Sequence, residues 1–556
     1  MFTMDSLVFL AIAVAILFAA VQRGGDGART MSERTHRVIC WAAIAAGVLV
    51  RLVRLTSLPA GISAEEALVG VQAKALWQTG GFLFGQGLTT QLSQWAGETT
   101  GPLAVLTAPF VGLFGMSKLT VRLPLALLSC AATPAAYGLG EALSGRRAAR
   151  WMLTIAALCP IFVLEARMTC GSCAALYLLP IALCLIARGV TKPAALYPGM
   201  IVLALTAYAQ DMYFFIAPAA ILACAIIALI FGRRKRHAAI AGAIGLLLCV
   251  PAMLTAFVNL TGAEGMTLLG LIRVPRLEGF EKAFMAENRS VGDKLWAVLV
   301  GGVFQVLRHE NIHQAMYTPD GMLALFMFSL PLMVLGALAL FARWTDGRRA
   351  AREKAAARAM VAATCAVTLA ALVMFGSIGT LDMSGTTGLF DHSALILFDA
   401  VLMTAGLCTI ERKNLKCAAA MGALMAVNFA WLAVQLFGGS YQANANVYFP
   451  GFEQMAARAA EIQAETGEKI NVTGNIYPHI QPSGSAEMMF LYATDADMRT
   501  AEAERGTRYE TIYVSEDMQP EADEIYLARA NEISNWDLEG FDYEESEGYA
   551  LIYPAR

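Results

Sequence analysis

Apolar runs of about 20 residues, separated by short charged stretches, dominate the first 437 positions. A helix needs a run of that length to cross a bilayer. The runs predict twelve spans, near 5–22, 38–56, 121–142, 150–166, 171–187, 195–210, 213–231, 238–259, 321–342, 359–378, 393–410 and 416–437. Residues 101–116 are also apolar, but the run is short and contains Pro102 and Pro109. It is expected to lie in the interface rather than to cross. From 439 onward the pattern changes. Helical periodicity over 450–466 (Phe452, Met455, Ala459, Ile462) and short buried-strand patterns at 469–473, 488–492, 511–514 and 549–553 predict a small α/β body. The expected fold class is an all-α polytopic membrane protein of about twelve transmembrane helices with a small C-terminal α/β domain. Its expected parts are an anchor helix and loop (1–37), a transmembrane domain (38–437) with outer loops at 57–120 and 260–320, and a tail domain (438–556). No internal repeat is evident.

Charge orients these runs. Of the 41 basic residues, 22 fall in alternate connections, including Arg34, Arg37, Arg146, Arg147, Arg150, Arg188, Arg233, Arg234, the run from Arg343 to Arg358, and Arg412. The positive-inside rule puts those connections in the cytoplasm and both termini outside it. Counting 101–116 as a span would invert every later segment and turn Arg146 and Arg147 outward. Asp5 ahead of the first run, and no small-residue cleavage site after it, suggest an anchor rather than a removable signal.

Composition agrees with a membrane protein. The chain of 556 residues is 57% hydrophobic and 15% charged, with mean hydropathy +0.55, whereas soluble domains carry about 25% charged residues. A disordered, fibrous or ordinary cytosolic protein is excluded. The formal charge of −3 conceals an asymmetry: positions 439–556 hold 7 basic and 22 acidic residues. A basic membrane part and an acidic tail suggest opposite compartments, with the tail outside a plasma membrane. No basic stripe fits a nucleic acid. Eleven cysteines all precede position 418 and define no disulfide framework; Cys170 and Cys173, a CxxC, are expected to be small packing residues. Asn471 opens a glycosylation sequon, but within an expected strand.

Candidate chemistry gathers in the first outer loop. Glu65 and Glu66 open an amphipathic helix where a span has just left the membrane. Acidic residues at a helix start are commonly only macrodipole partners, but a carboxylate pair there also suits a general base and a cation ligand. Asp399 falls inside an expected span, with His392 two turns earlier on the same face. His309 and His313, at i,i+4, could present two imidazoles to a metal, without an evident third ligand.

The order of motifs resembles the GT-C class of lipid-linked-sugar glycosyltransferases, which includes protein O-mannosyltransferases and aminoarabinose transferases. The resemblance rests on Glu65-Glu66-Ala67 with Gly70, then Gly101-Pro102, Phe114-Gly115, Arg122-Leu123-Pro124, Pro160 with Arg167, and the tyrosine-rich stretch Tyr208 to Pro218. It covers 38–235 in detail and 236–437 only in hydropathy. It implies a membrane transferase that moves a sugar from a polyprenyl-phosphate donor to a lipid, glycan or protein acceptor, by inverting displacement on the extracytoplasmic face. Glu65 would be the base and Glu66 its support or the ligand of a divalent cation, the candidate cofactor. Arg167 and Lys74 would meet the donor phosphate; Asp211, His392 and Asp399 are further site candidates. The family has Asp where this chain has Glu65, one methylene longer, a displacement of about 1 Å that can change rate about 100-fold. Either the site is rebuilt around Glu, or substrate or activity has changed. Two alternatives stand beside the transferase: a transporter or lipid flippase, and a non-catalytic scaffold displaying the tail.

Overall fold

The structure is a computed structural model that describes residues 4–22, 31–83, 88–89, 101–169, 171–209, 212–276, 290–296, 322–345, 352–375, 393–438, 449–475, 485–515 and 517–555. Asp211, His309, His313, His392, Cys170 and the arginines at 23 and 29 lie outside the described residues.

Helices α1 (Met4–Gln22), α2 (Glu33–Leu52), α3 (Ala64–Thr79) and α4 (Gly101–Phe114) are followed by α5 (Lys118–Ser144) and a bent pair, α6 (Arg146–Leu158) and α7 (Pro160–Leu164). Then come α8 (Gly171–Gly189), α9 (Leu196–Leu205), α10 (Tyr213–Phe231), α11 (Lys235–Thr261) and the short α12 (Val291–Trp296). Helices α13 (Ser329–Thr345), α14 (Arg352–Phe375), α15 (Ser393–Lys413) and α16 (Leu415–Phe437) complete the apolar part. Every expected span falls on one of these helices. Among the described residues seven are long and apolar enough to cross a membrane, and the α6–α7 pair, bent by 60°, makes an eighth. The expected spans on α1, α8, α9 and α13 correspond to shorter apolar helices of 10–17 residues. The protein is a multi-pass membrane protein. Helix α4, with Pro109 inside it, has 14 residues, about 21 Å at 1.5 Å per residue, too short for a core about 30 Å thick. It packs on α3 instead, where Gly112 leaves room for the Trp77 ring.

Basic connections meet at one end of the bundle. Arg358 Nε donates to the carbonyl of Leu143 (3.0 Å) and Arg352 Nη2 to that of Ile230 (2.8 Å). Both carbonyls belong to helix C-termini, where cations are favoured. At the same end Arg146 pairs with Glu33, and buried Glu411 pairs with Arg150.

The break between α6 and α7 has a sequence cause. Pro160 has no N–H for the carbonyl of Ala156, and the Ile161 N–H turns away to the carbonyl of Ala324 (2.8 Å). Arg51, fully buried, donates instead to Ala156 O (2.7 Å) and Ala157 O (3.0 Å), and to Phe162 O (2.7 Å) beyond the break. One guanidinium thus restores the acceptors' partners inside an apolar bundle, where unpaired carbonyls are costly.

Beyond the helices, β1 (Leu88–Thr89), β2 (Met266–Leu268) and β3 (Ile272–Val274) form a small sheet in the order β1-β3-β2. The tail holds α17 (Pro450–Thr466), β4 (Lys469–Thr473), α18 (Ser485–Ala493), α19 (Ala501–Glu504), β5 (Tyr509–Ile512), β6 (Glu524–Arg529), β7 (Phe541–Ser546) and β8 (Tyr549–Pro554). Its sheet runs β5-β4-β6-β8-β7, with β4 parallel to both neighbours and the other pairs antiparallel. One expectation is corrected: 488–492 is not a strand but the middle of α18. A five-residue apolar run does not alternate, so periodicity cannot separate strand from buried helix. Asn471 is buried in β4, donating to Glu524 Oε2 (2.6 Å).

Among the described residues, the two largest of four apolar clusters organise the molecule. One fills the helix bundle. The other runs without interruption from Ala67, Leu68 and Val71 of α3 through Ala104 and Ala108 of α4 to Phe452, Met489, Tyr492 and Ile525 of the tail. The tail therefore docks on the helix that carries the two glutamates.

Candidate active site

Residues 53–61, between α2 and α3, form turns and bends, so their carbonyls need partners from elsewhere. Two buried arginines supply them. Arg167, at the end of the 3-10 turn Glu165–Arg167 that follows α7, donates from Nη1 to the carbonyls of Val50, Arg51 and Val53 and from Nη2 to those of Arg54 and Leu58, at 2.6–3.2 Å. The guanidinium caps the C-terminus of α2, where helix carbonyls lack intrahelical donors. Arg122 of α5 donates to the carbonyls of Leu55 (3.1 Å), Pro59 (2.9 Å) and Gly61 (2.7 Å).

Arg122 also grips Glu66 through two bonds, Nε to Oε1 (2.8 Å) and Nη2 to Oε2 (2.9 Å), and both residues are fully buried. Glu66 Oε1 accepts the Thr169 N–H (3.1 Å), and Oε2 accepts the Ser63 N–H (3.2 Å). Ser63 Oγ in turn accepts the Glu66 N–H (3.2 Å), which completes a capping box at the start of α3. Four donors thus engage the Glu66 carboxylate. Its place is positional: it locks α3 to α5 and to the strand-like residues after Arg167, with no oxygen turned out for a cation.

Glu65, one residue earlier, is half-buried on the first turn of α3. It interacts electrostatically with Glu165, a buried residue two positions before Arg167. Sequence reasoning did not single out Glu165, which lies in an apolar run; its burial in the 3-10 turn after the α6–α7 bend appears only in the fold. Cys173 Sγ lies 3.0 Å from Glu165 Oε2. Cys173 is disulfide-bonded as well as packed in the bundle core, so for Cys173 the expectation of a packing residue alone is corrected; hydropathy cannot distinguish a thiol from a disulfide sulfur. The nine free cysteines are buried or half-buried.

The other candidates separate from this centre. Lys74 Nζ binds the carboxylate (2.6 Å) and carbonyl (2.8 Å) of Asp495, in the tail. Lys118 binds Glu453 (2.7 Å) and the Ala60 carbonyl (2.8 Å). Asp399 lies deeper in the bundle, where it interacts with Cys159 and Cys365. Tyr492 of the tail packs over Gly70. Burial, followed by the carboxylates of Glu453 and Glu66, pushes its phenol up, so the ring sits there as a neutral group. Arg54 is exposed on the turn after α2, its Nε 3.4 Å from Ser57 Oγ.

No protein-family model and no curated protein sequence matches the chain. Solved structures do. ArnT from Cupriavidus metallidurans, bound to undecaprenyl phosphate, superposes with a TM-score of 0.50 at 10% identity, over 94% of this chain and 98% of that one. The chain has a GT-C-like fold. The Archaeoglobus fulgidus oligosaccharyltransferase, in a complex with Zn and sulfate, superposes with a TM-score of 0.47 at 12% identity, over 85% of this chain. The chain spans 62% of that enzyme's length. Arg122 and Arg167 both bind carbonyls of the segment between α2 and α3.

Among the described residues no three His, Cys, Asp or Glu side chains are grouped to hold a metal ion.

Proposed function

We propose that this protein transfers a sugar from a polyprenyl-phosphate donor to an acceptor hydroxyl at the membrane face that bears α3 and the tail. The observation that carries this reading is the division of labour within the acidic pair. Glu66 is fully engaged in structure, whereas Glu65 stands half-buried on the same helical turn, within electrostatic reach of a second carboxylate, Glu165. The GT-C-like fold supports it, as does the undecaprenyl phosphate bound by the ArnT it superposes on.

In this mechanism Glu65 accepts the proton of the acceptor hydroxyl as its oxygen attacks the anomeric carbon. The bond to the lipid phosphate breaks on the opposite face, with inversion. The lipid phosphate leaves with the bonding electron pair, so a cation must face it. The inward turn of Arg167 directs this role to Arg54, exposed at the outer end of α2, and leaves Arg167 as a clamp. Among the described residues no group of three acidic, His or Cys side chains offers a divalent-cation site, so no step is routed through one.

The test is to supply purified protein in nanodiscs with a polyprenyl-phosphate sugar labelled in the sugar and to measure release of polyprenyl phosphate. Release coupled to a glycosylated product supports the transferase. Movement of intact donor between leaflets, without bond cleavage, would establish the flippase instead.

A further inference from the structure

The hairpin of β2 and β3 carries an apolar residue where water and backbone geometry both disfavour one. Its turn, Leu268 to Leu271, is closed by the Leu271 N–H on the Leu268 carbonyl (3.0 Å). Both central residues take positive φ, 53° at Leu269 and 70° at Gly270. Turns of that kind prefer Asn-Gly or Asp-Gly, because a side chain beyond Cβ is crowded at positive φ. Here the first place is a leucine that is 87% exposed, beside Leu271 at 69% and Met266 at 40%. A strained backbone and an uncovered apolar tip point to a partner that rewards both.

The surroundings identify that partner as lipid. Helix α11 crosses the membrane and ends at Thr261. Its outer turns expose Met253 and Phe257, a lipid-facing surface. The hairpin is tied to those turns: Asn259 Nδ2 donates to the Pro275 carbonyl (3.0 Å) and Val274 is fully buried. A strand rises about 3.3 Å per residue, so Leu271 lies within about 13 Å of this anchor. Arg273 and Arg276 are exposed beside the apolar tip. Leucines flanked by arginines suit an interface in which acyl chains meet the apolar residues and lipid phosphates meet the guanidiniums.

We infer that the β2–β3 hairpin inserts its Leu269–Leu271 tip into the leaflet on the α3 side, with Arg273 and Arg276 at the level of the lipid phosphates. The consequence reaches the first outer loop, because β3 pairs with β1, Leu88 opposite Ile272 and Thr89 opposite Arg273. The chain segment after α3 is thereby moored to the bilayer at a second point. This inference rests on the membrane reading alone, so failure of the transferase reading leaves it standing.

The test uses the full chain in nanodiscs of phosphatidylcholine with a minority of phosphatidylglycerol. Leu269→Cys and Ser515→Cys, the latter in the exposed tail, each receive an environment-sensitive fluorophore. At 269 the emission shifts to the blue, doxyl-labelled lipid quenches it, and aqueous iodide does not; at 515 the order reverses. Equal iodide quenching at both sites would overturn the inference. A second variant guards against an artefact of the label. Leu269→Asn places a favoured residue in the turn, so the fold is kept, while a fluorophore on Leu271→Cys loses lipid quenching relative to the same probe beside Leu269. Unchanged lipid quenching there would show that Leu269 does not hold the tip in the bilayer, and would also overturn it.

Discussion

At the scale of single residues, the two adjacent glutamates are chemically identical and structurally opposite. Glu66→Gln leaves the Arg122 charge buried without its counter-ion, and breaking a buried pair costs about 3–5 kcal/mol. The expected outcome is a large drop in the melting midpoint of the purified protein, with Glu65→Gln melting close to wild type. Equal melting of the two variants would show that the Arg122 grip on Glu66 does not hold the site together. The arginines divide in the same way. Arg167→Ala strands five carbonyls; with each unpaired buried group worth about 1–3 kcal/mol, stability falls first. Arg54→Gln should instead leave stability within about 0.5 kcal/mol and weaken binding of a polyprenyl phosphate, measured by titration in nanodiscs. A weakened Arg167 variant that melts normally would return the phosphate role to Arg167.

At the scale of elements, α3 is held between the bundle and the tail, and Gly70 sets the spacing. A Cβ there would meet Val121 Cγ2 at 2.9 Å and the Tyr492 ring at 3.2 Å. Overpacking of this kind costs about 1–3 kcal/mol. Gly70→Ala is therefore expected to loosen the tail from α3, visible as faster hydrogen exchange in α18, while amides of α5 far from the contact keep their protection. The sequence announced α3 through the acidic pair Glu65-Glu66 opening an amphipathic helix, and it announced the bundle through hydropathy. It did not announce which glutamate would face inward. That depends on Arg122, more than 50 residues away, reaching the first turn of α3. Nor did periodicity find β6 and β7, whose polar ends and acidic alternation look like an exposed loop until the sheet is assembled. Glu165 and Arg51 were hidden for a related reason: their roles exist only once Pro160 has bent the α6–α7 pair.

At the scale of the whole molecule, the tail shares an apolar cluster and the Lys74–Asp495 ion pair with α3, and the Lys118–Glu453 pair with the start of α5. The positive-inside reading of the basic connections puts this shared body on the opposite side of the membrane, as a proposal to be tested. Ser515→Cys in intact cells should react with a membrane-impermeant thiol reagent, and a cysteine in place of Lys413 should not; the opposite pattern would invert the topology. The tail also carries a pH dependence of its own. Glu487 is buried in α18, bound by Tyr509 (3.2 Å) and Arg505 (3.3 Å), and burial raises its carboxyl above the ordinary value of 4.5 despite both partners. The folded tail thus holds this proton more tightly than the unfolded chain, so stability falls as pH rises from 4.5 through the raised value. Across that window the melting midpoint of Glu487→Gln should gain on wild type, then run parallel to it at higher pH. A constant offset throughout would mean that Glu487 ionises as freely folded as unfolded.

These scales meet in the claim that a preorganised turn delivers Glu65 as the base of a sugar transfer. Single-turnover transfer by Glu65→Gln, measured beside donor binding in the same nanodiscs, tests it most directly. The account predicts unchanged donor affinity, normal melting and a rate lowered about 10²–10⁴-fold, the usual effect of removing a general base. Full turnover in Glu65→Gln, with donor still bound, would contradict it.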